Sequence, residues 1–119
     1  MSDKVFLDTN ILVYAVESSG PDAKKSGIAI SLVRRSGVCI STQVLGEFYR
    51  AVTSVRRASP LSQDEATAWV QLWKRLEVCG ISVLHVDLAL EIVRRFQIGY
   101  YDALILAAAR LSGCKQVYS

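Results

Sequence analysis

The chain carries eleven acidic residues, and three of them stand where a carboxylate can do chemistry. Asp8 follows the short apolar run Lys4–Leu7. Glu47 lies in an amphipathic helical pattern beside a glycine, Gly46. Asp102 precedes Ala103-Leu104-Ile105-Leu106, in the most apolar segment of the chain. Carboxylate oxygens suit hard divalent ions such as Mg²⁺ and Mn²⁺, which keep several waters. Acids that converge from separate elements would hold one or two such ions against a phosphodiester. The ion polarises a phosphoryl oxygen and lowers the pKa of the attacking water. A cluster of acids also repels itself, so its titration is coupled and metal uptake relieves it. Such a site needs neither His nor Cys. The only histidine, His85, is read as structural and placed in the third strand, because no second imidazole or Cys ligand partners it in sequence.

Each acid also has a plain structural reading. Asp is a leading helix N-cap residue, which alone would explain Asp8. A first-turn acid complements the helix dipole, which alone would explain Asp102. Against that, an acid on so apolar a helix needs a partner if it is buried. Glu47 falls to the side of the apolar stripe centred near Val52, so periodicity makes it a solvated residue. Gly46 points the other way. A glycine inside a helix costs roughly 1 kcal/mol relative to Ala, and suggests that something approaches closely there.

The elements that must position these acids follow from local patterns. Lys4–Leu7 reads as a buried strand. Asp8-Thr9-Asn10 caps a short helix over Ile11–Val16, which Gly20-Pro21-Asp22 breaks. A helix of about 15 residues runs from near Asp22 to Ser36, with Ala29, Leu32, Val33 and Ser36 on one face, until Gly37 stops it. Val38–Ser41 is the second strand. Ser41 or Thr42 caps a helix bearing Val44, Leu45, Phe48, Tyr49 and Val52. Pro60 marks a turn, and Ser62-Gln63-Asp64-Glu65 is a capping box. It opens a long helix, with Trp69, Leu72, Trp73 and Leu76 on one face, that Gly80 ends. Ile81–Val86 is assigned to the third strand, and Asp87 caps the helix bearing Leu88, Ile92, Val93 and Phe96. Tyr101–Leu111 is apolar nearly all round and should be the most buried helix. Gly113 ends it, and Gln116–Ser119 begins a fourth strand. Short apolar strands alternating with helices imply an α/β fold with a parallel sheet covered on both faces. Ligands of such sheets bind beyond the carboxyl ends of the strands, where Asp8 sits.

Composition narrows the class. A chain of 119 residues, 51% hydrophobic and 21% charged, suits a single folded domain with its own core. Net charge is +3, which only weakly favours a polyanionic partner. Arg outnumbers Lys nine to five and occurs in pairs at 34–35, 56–57 and 94–95. Arg suits phosphate through its planar fork, although such pairs also decorate the solvated faces of helices. Three cysteines without CxxC spacing argue against a disulfide framework or a zinc knuckle, and Cys39 reads as a small buried hydrophobe. A reducing cytosol fits best. The opening MSDKVFLD is not a signal peptide, and no run reaches the roughly 18 apolar residues of a membrane span.

With these residues in view, the chain resembles the PIN-domain family, and within it the VapC-type ribonuclease toxins. Val5-Phe6-Leu7-Asp8-Thr9-Asn10-Ile11-Leu12-Val13-Tyr14 looks like the opening motif. Ser41-Thr42-Gln43-Val44-Leu45-Gly46-Glu47-Phe48 resembles the second motif, and Tyr101-Asp102-Ala103-Leu104-Ile105 the third. The resemblance implies a Rossmann-like sheet flanked by helices and Mg²⁺- or Mn²⁺-dependent cleavage of RNA. It also implies a partner antitoxin and a homodimer. Asp8 and Asp102 would be metal ligands. Glu47 would act on the metal directly or through water, and Thr9 and Asn10 would position the site by hydrogen bonding. The family usually carries a fourth acid just after the fourth strand. Here Val117-Tyr118-Ser119 reaches the start of that segment, with Ser119 aligned to the residue before the acid. The expected fold therefore lacks the last strand and tail, and leaves a sheet edge open to pairing.

That departure supports an alternative, a PIN-like scaffold that binds RNA or an antitoxin without cutting. A third reading, a phosphoacceptor domain using Asp8, fits poorly. A haloacid-dehalogenase-like phosphatase would want an acid where Asn10 stands, and a receiver domain would want an acidic pair at the first strand end.

Overall fold

The computed structural model describes residues 3–17 and 23–119. The chain runs β1 (Val5–Leu7), α1 (Thr9–Ala15), α2 (Ala23–Arg34), β2 (Val38–Ser41), α3 (Thr42–Thr53), α4 (Gln63–Trp73), β3 (Glu77–Cys79), α5 (Val83–Phe96), α6 (Tyr100–Leu111) and β4 (Gln116–Tyr118). The expected break at Gly20-Pro21-Asp22 lies outside the described residues.

The four strands form one parallel sheet in the order β3-β2-β1-β4. Central β1 is buried throughout, as a strand covered on both faces must be. Phe6 pairs with Cys39 on one side and Val117 on the other. The outer strands β3 and β4 are only partly buried and form the two edges. The chain winds outward from β1 through β2 to β3, then returns to place β4 on the far side of β1. The winding reverses between β1 and β4, and the end of such a reversal is the usual ligand position in open α/β sheets.

Most core side chains gather around the sheet: Val5, Phe6, Leu7, Ile40, Val44 and Phe48 are all fully buried. Helix α6 packs on two faces, while Tyr101, Leu106 and Leu111 stay exposed. Ile105, Ala108 and Ala109 join the core around the sheet. Ala103, Leu104 and Ala107 form a second cluster with Ala89 and Ile92 of α5. All three thiols are free. Burial pushes the Cys39 thiol up to about 12, so it is a packing residue without nucleophilic character at neutral pH. No helix among the described residues is long and apolar enough to cross a membrane.

Two assignments from the sequence are corrected. The long helix opened by the Ser62 capping box ends at Trp73, well before Gly80. The third strand is Glu77–Cys79, not Ile81–Val86. Residues 83–86 are instead the first turn of α5. Its N-cap is Ser82, whose backbone N–H donates to His85 Nδ1 at 3.1 Å. His85 is therefore a buried helix-capping residue and not a strand residue. Its Nε2 lies 3.1 Å from Cys79 Sγ. Ser36, expected on the apolar face of α2, is exposed beyond the helix end.

Gly46 behaves differently from expectation too. A Cβ built there meets nothing within 4 Å, so no element approaches it. Gly46→Ala is expected to stabilise the chain by about 0.5–1 kcal/mol, because the change removes unfolded-state freedom inside a helix at no steric cost. Urea denaturation would check it, and a destabilised variant would show that the position is needed as glycine.

Candidate active site

The carboxyl ends of all four strands share one edge, and the three acids stand along it. Asp8 follows β1 directly. Its backbone N–H donates to the Tyr118 carbonyl of β4 at 2.9 Å, which places it where β1 and β4 meet. Its side chain caps α1, accepting from the Thr9 N–H at 2.6 Å. The capping role read from sequence is thus real, and it leaves Asp8 half-buried at the sheet edge.

Glu47 is held at both oxygens. Thr9 Oγ1 donates to Oε1 at 2.7 Å, and Gln43 Nε2 donates to Oε2 at 3.1 Å. The residue is partly buried, so the solvated Glu suggested by periodicity is instead a fixed carboxylate facing α1. The same Gln43 nitrogen donates to the Tyr101 carbonyl at 3.2 Å, in the residue preceding Asp102. Gln43 therefore ties α3 to the first turn of α6. Because both neighbours are acceptors, its amide nitrogen must face them. Its Oε1 is left buried and without a partner among the described residues. Sequence reasoning did not single out Gln43. The available signal was its position one helical turn before Glu47.

Asp102 is exposed, so it does not need the buried counter-ion inferred from its apolar helix. It still acts on Asp8. The Asp8 carboxyl titrates above its usual range, chiefly because burial penalises its charge and also because Glu47 and Asp102 repel it. The Thr9 N–H bond opposes the rise. All three acids therefore share one electrostatic neighbourhood. Of the supporting residues, Thr9 bonds Asp8 and Glu47. Asn10 is exposed, and neither its side chain nor that of Ser119 makes a hydrogen bond to the described residues. Among the described residues, no three His, Cys, Asp or Glu side chains lie close enough together to hold a metal ion.

A parallel sheet whose winding reverses beside Asp8 defines a class of open α/β proteins with an acid at the switch point. The chain belongs to the PIN domain family, whose model matches residues 5–119. Among solved structures, it is similar to Mycobacterium tuberculosis VapC20, described as a sarcin-ricin loop cleaving toxin. TM-score is 0.76 and identity 20%, covering 98% of this chain and 88% of the other. It is also similar to a toxin–antitoxin complex from Klebsiella pneumoniae, at TM-score 0.68, 19% identity and coverage of 97% and 85%. Rickettsia felis VapBC2, bound to a DNA fragment from its promoter, matches at TM-score 0.61 and 22% identity, with coverage of 96% and 85%. At these identities the likeness is one of fold. No curated protein sequence gives a significant match.

Proposed function

We propose that the chain is a Mg²⁺- or Mn²⁺-dependent endoribonuclease, the toxin of a toxin–antitoxin pair. The observation that carries this is the placement of Asp8 at the switch point, its charge penalised by burial and by the nearby Glu47 and Asp102, in a chain of PIN family and VapC-like fold. An acid cluster that raises its own member's pKa is relieved by a cation.

The donor set fits a hard divalent ion, since every candidate ligand atom is oxygen. Asp8 and Asp102 would hold it, with Glu47 reaching it through water. The spread of the three acids suits an ion that keeps much of its water shell. The buried, unpartnered Gln43 Oε1 is a ready acceptor for one of those waters. When bound, the ion supplies charge stabilisation at a phosphoryl oxygen and a lower water pKa. The protein's part is positional. Thr9 and Gln43 fix the Glu47 carboxylate, and Gln43 links it to the turn carrying Asp102.

Gln43→Met keeps the side chain's length and loses both donors. Mn²⁺ affinity is expected to fall about 10–100-fold, as for other outer-shell partners of metal ligands, with little change in melting temperature. Calorimetric titration with Mn²⁺ would read it, and unchanged affinity would remove Gln43 from the site.

A protein partner is part of the same proposal, supported by the two similar structures that are toxin–antitoxin assemblies. A cavity of about 520 Å³, lined by Ile30, Val33, Trp69, Trp73 and Leu76 among others, lies away from the acids and offers an apolar seat. Homodimerisation and residence in the cytosol belong to the same reading. A non-cutting scaffold is favoured by one observation, the lack of a closed three-ligand group among the described residues. RNA cleavage with Mg²⁺, with Mn²⁺ and with a chelator decides between the two readings. Cleavage that ignores the chelator, or never occurs, overturns the nuclease proposal.

A further inference from the structure

We propose that a depression beside Glu47 is a phosphate subsite, in which Arg50 binds the backbone of an RNA strand next to the acids. The inference rests on the nuclease reading and adds a substrate contact to it. Glu47, Arg50, Ala51 and Ser54 line a cavity of about 310 Å³. Glu47, Arg50 and Ala51 are spaced i, i+3 and i+4 on one face of α3, and Ser54 is the residue that ends the helix.

A Glu and an Arg three residues apart on a helix are within reach of each other. Here no ion pair joins them among the described residues. The Glu47 carboxylate is instead bonded to Thr9 and to Gln43. Arg50 is exposed, and its guanidinium has no partner among the described residues. Arg57 makes the contrast, because Glu17 and the Val52 carbonyl hold its guanidinium at 3.3 Å each.

The rest of the depression suits an anion. Ala51 leaves its floor open. Ser54 Oγ accepts from the Arg56 N–H at 3.2 Å, which leaves the hydroxyl hydrogen free to donate. A planar guanidinium beside a hydroxyl donor matches phosphate oxygens. The acids themselves repel a bare anion. A ligand that spans both zones must carry repeating phosphates, one facing the cation-seeking acids and the next on Arg50. Arg50 stands ~4.5 Å further along the helix axis than Glu47, so a single strand laid along α3 meets both.

The test uses the Asp8→Asn protein, which is cleavage-disabled under the same reading, and a fluorescent single-stranded RNA oligonucleotide of mixed sequence. Affinity is measured over a range of salt concentrations. Adding Arg50→Gln is expected to weaken binding about 3- to 10-fold at low salt. It should also make the slope of log affinity against log salt shallower by about 0.7, the loss of one single-strand phosphate contact. Adding Arg94→Gln on α5 instead should weaken binding less. Arg50 is exposed and unpaired, so the variant is expected to fold, and a thermal melt confirms it. A folded Arg50→Gln protein that binds like its parent at every salt overturns the subsite and leaves the nuclease reading standing. A parent that binds no RNA even at low salt overturns both.

Discussion

Asp8→Asn is expected to abolish metal-dependent RNA cleavage while leaving the fold intact, or slightly firmer. The two roles of Asp8 make this separable. As an N-cap it accepts from the Thr9 N–H at 2.6 Å, and Asn caps about as well as Asp. As a carboxylate it is the acid at the switch point, and Asn carries no charge for a cation. Outer partners of metal ligands are worth about 10–100-fold, so loss of a ligand should exceed roughly 100-fold. A variant that cleaves at full rate would sink the proposed site.

The stability side has a definite sign. The folded-state pKa of Asp8 lies above the usual aspartate value because of burial and the neighbouring acids. Its charged form is therefore penalised in the fold. That penalty is complete above the folded pKa, shrinks as pH falls through it, and is gone below the unfolded value. Without metal, Asp8→Asn should melt slightly higher than the parent at neutral pH. The difference should vanish as pH drops toward about 4. Thermal melts in chelator across that window measure it, and a variant that melts lower at neutral pH would show that the carboxylate stabilises the fold.

The second large effect belongs to Phe48, the residue after Glu47. Its side chain is fully buried and meets Trp73 edge-on, with ring centroids 5.8 Å apart at 87°. Trp73 in turn stacks on Trp69 at 5.4 Å. This cluster clamps α3 to α4. Phe48→Ala should cost about 3–5 kcal/mol, the usual result of emptying a buried aromatic site, out of a total stability of about 5–15 kcal/mol. The melting temperature should fall by roughly 10–30 °C. Urea denaturation with an unchanged slope would confirm it. A loss under about 1 kcal/mol would mean that other contacts hold α3, and with it Glu47 and Gln43.

Much of this architecture is readable from local pattern. The apolar run before Asp8, the helical spacing from Val44 to Val52 and the near-continuous apolarity after Tyr101 each report a burial requirement that one segment states by itself. The third strand was not readable in this way. Glu77–Cys79 is three residues long, too short to show alternation, and it lies at a sheet edge. Its pairing with β2, Cys39 to Glu77 and Ser41 to Cys79, makes it a strand. Ile81–Val86 is equally apolar, but Ser82 and His85 cap a helix there, and a hydrogen-bonded cap outweighs a short apolar run.

The sequence by itself determined the parallel α/β fold, the family motifs and the three acids Asp8, Glu47 and Asp102. Tertiary structure alone decided how those acids relate. Periodicity showed Glu47 off the apolar stripe, and only the packing of α1 on α3 brings Thr9 to it. Gln43 acquires its role from α6, 58 residues away in the chain, and the Glu47 carboxylate is bonded to Thr9 and Gln43 rather than to Arg50. A helical pattern records which face of a segment avoids water. Which polar groups meet across the sheet's carboxyl edge depends on strand order and on where the winding reverses, and these are non-local properties that no single segment carries.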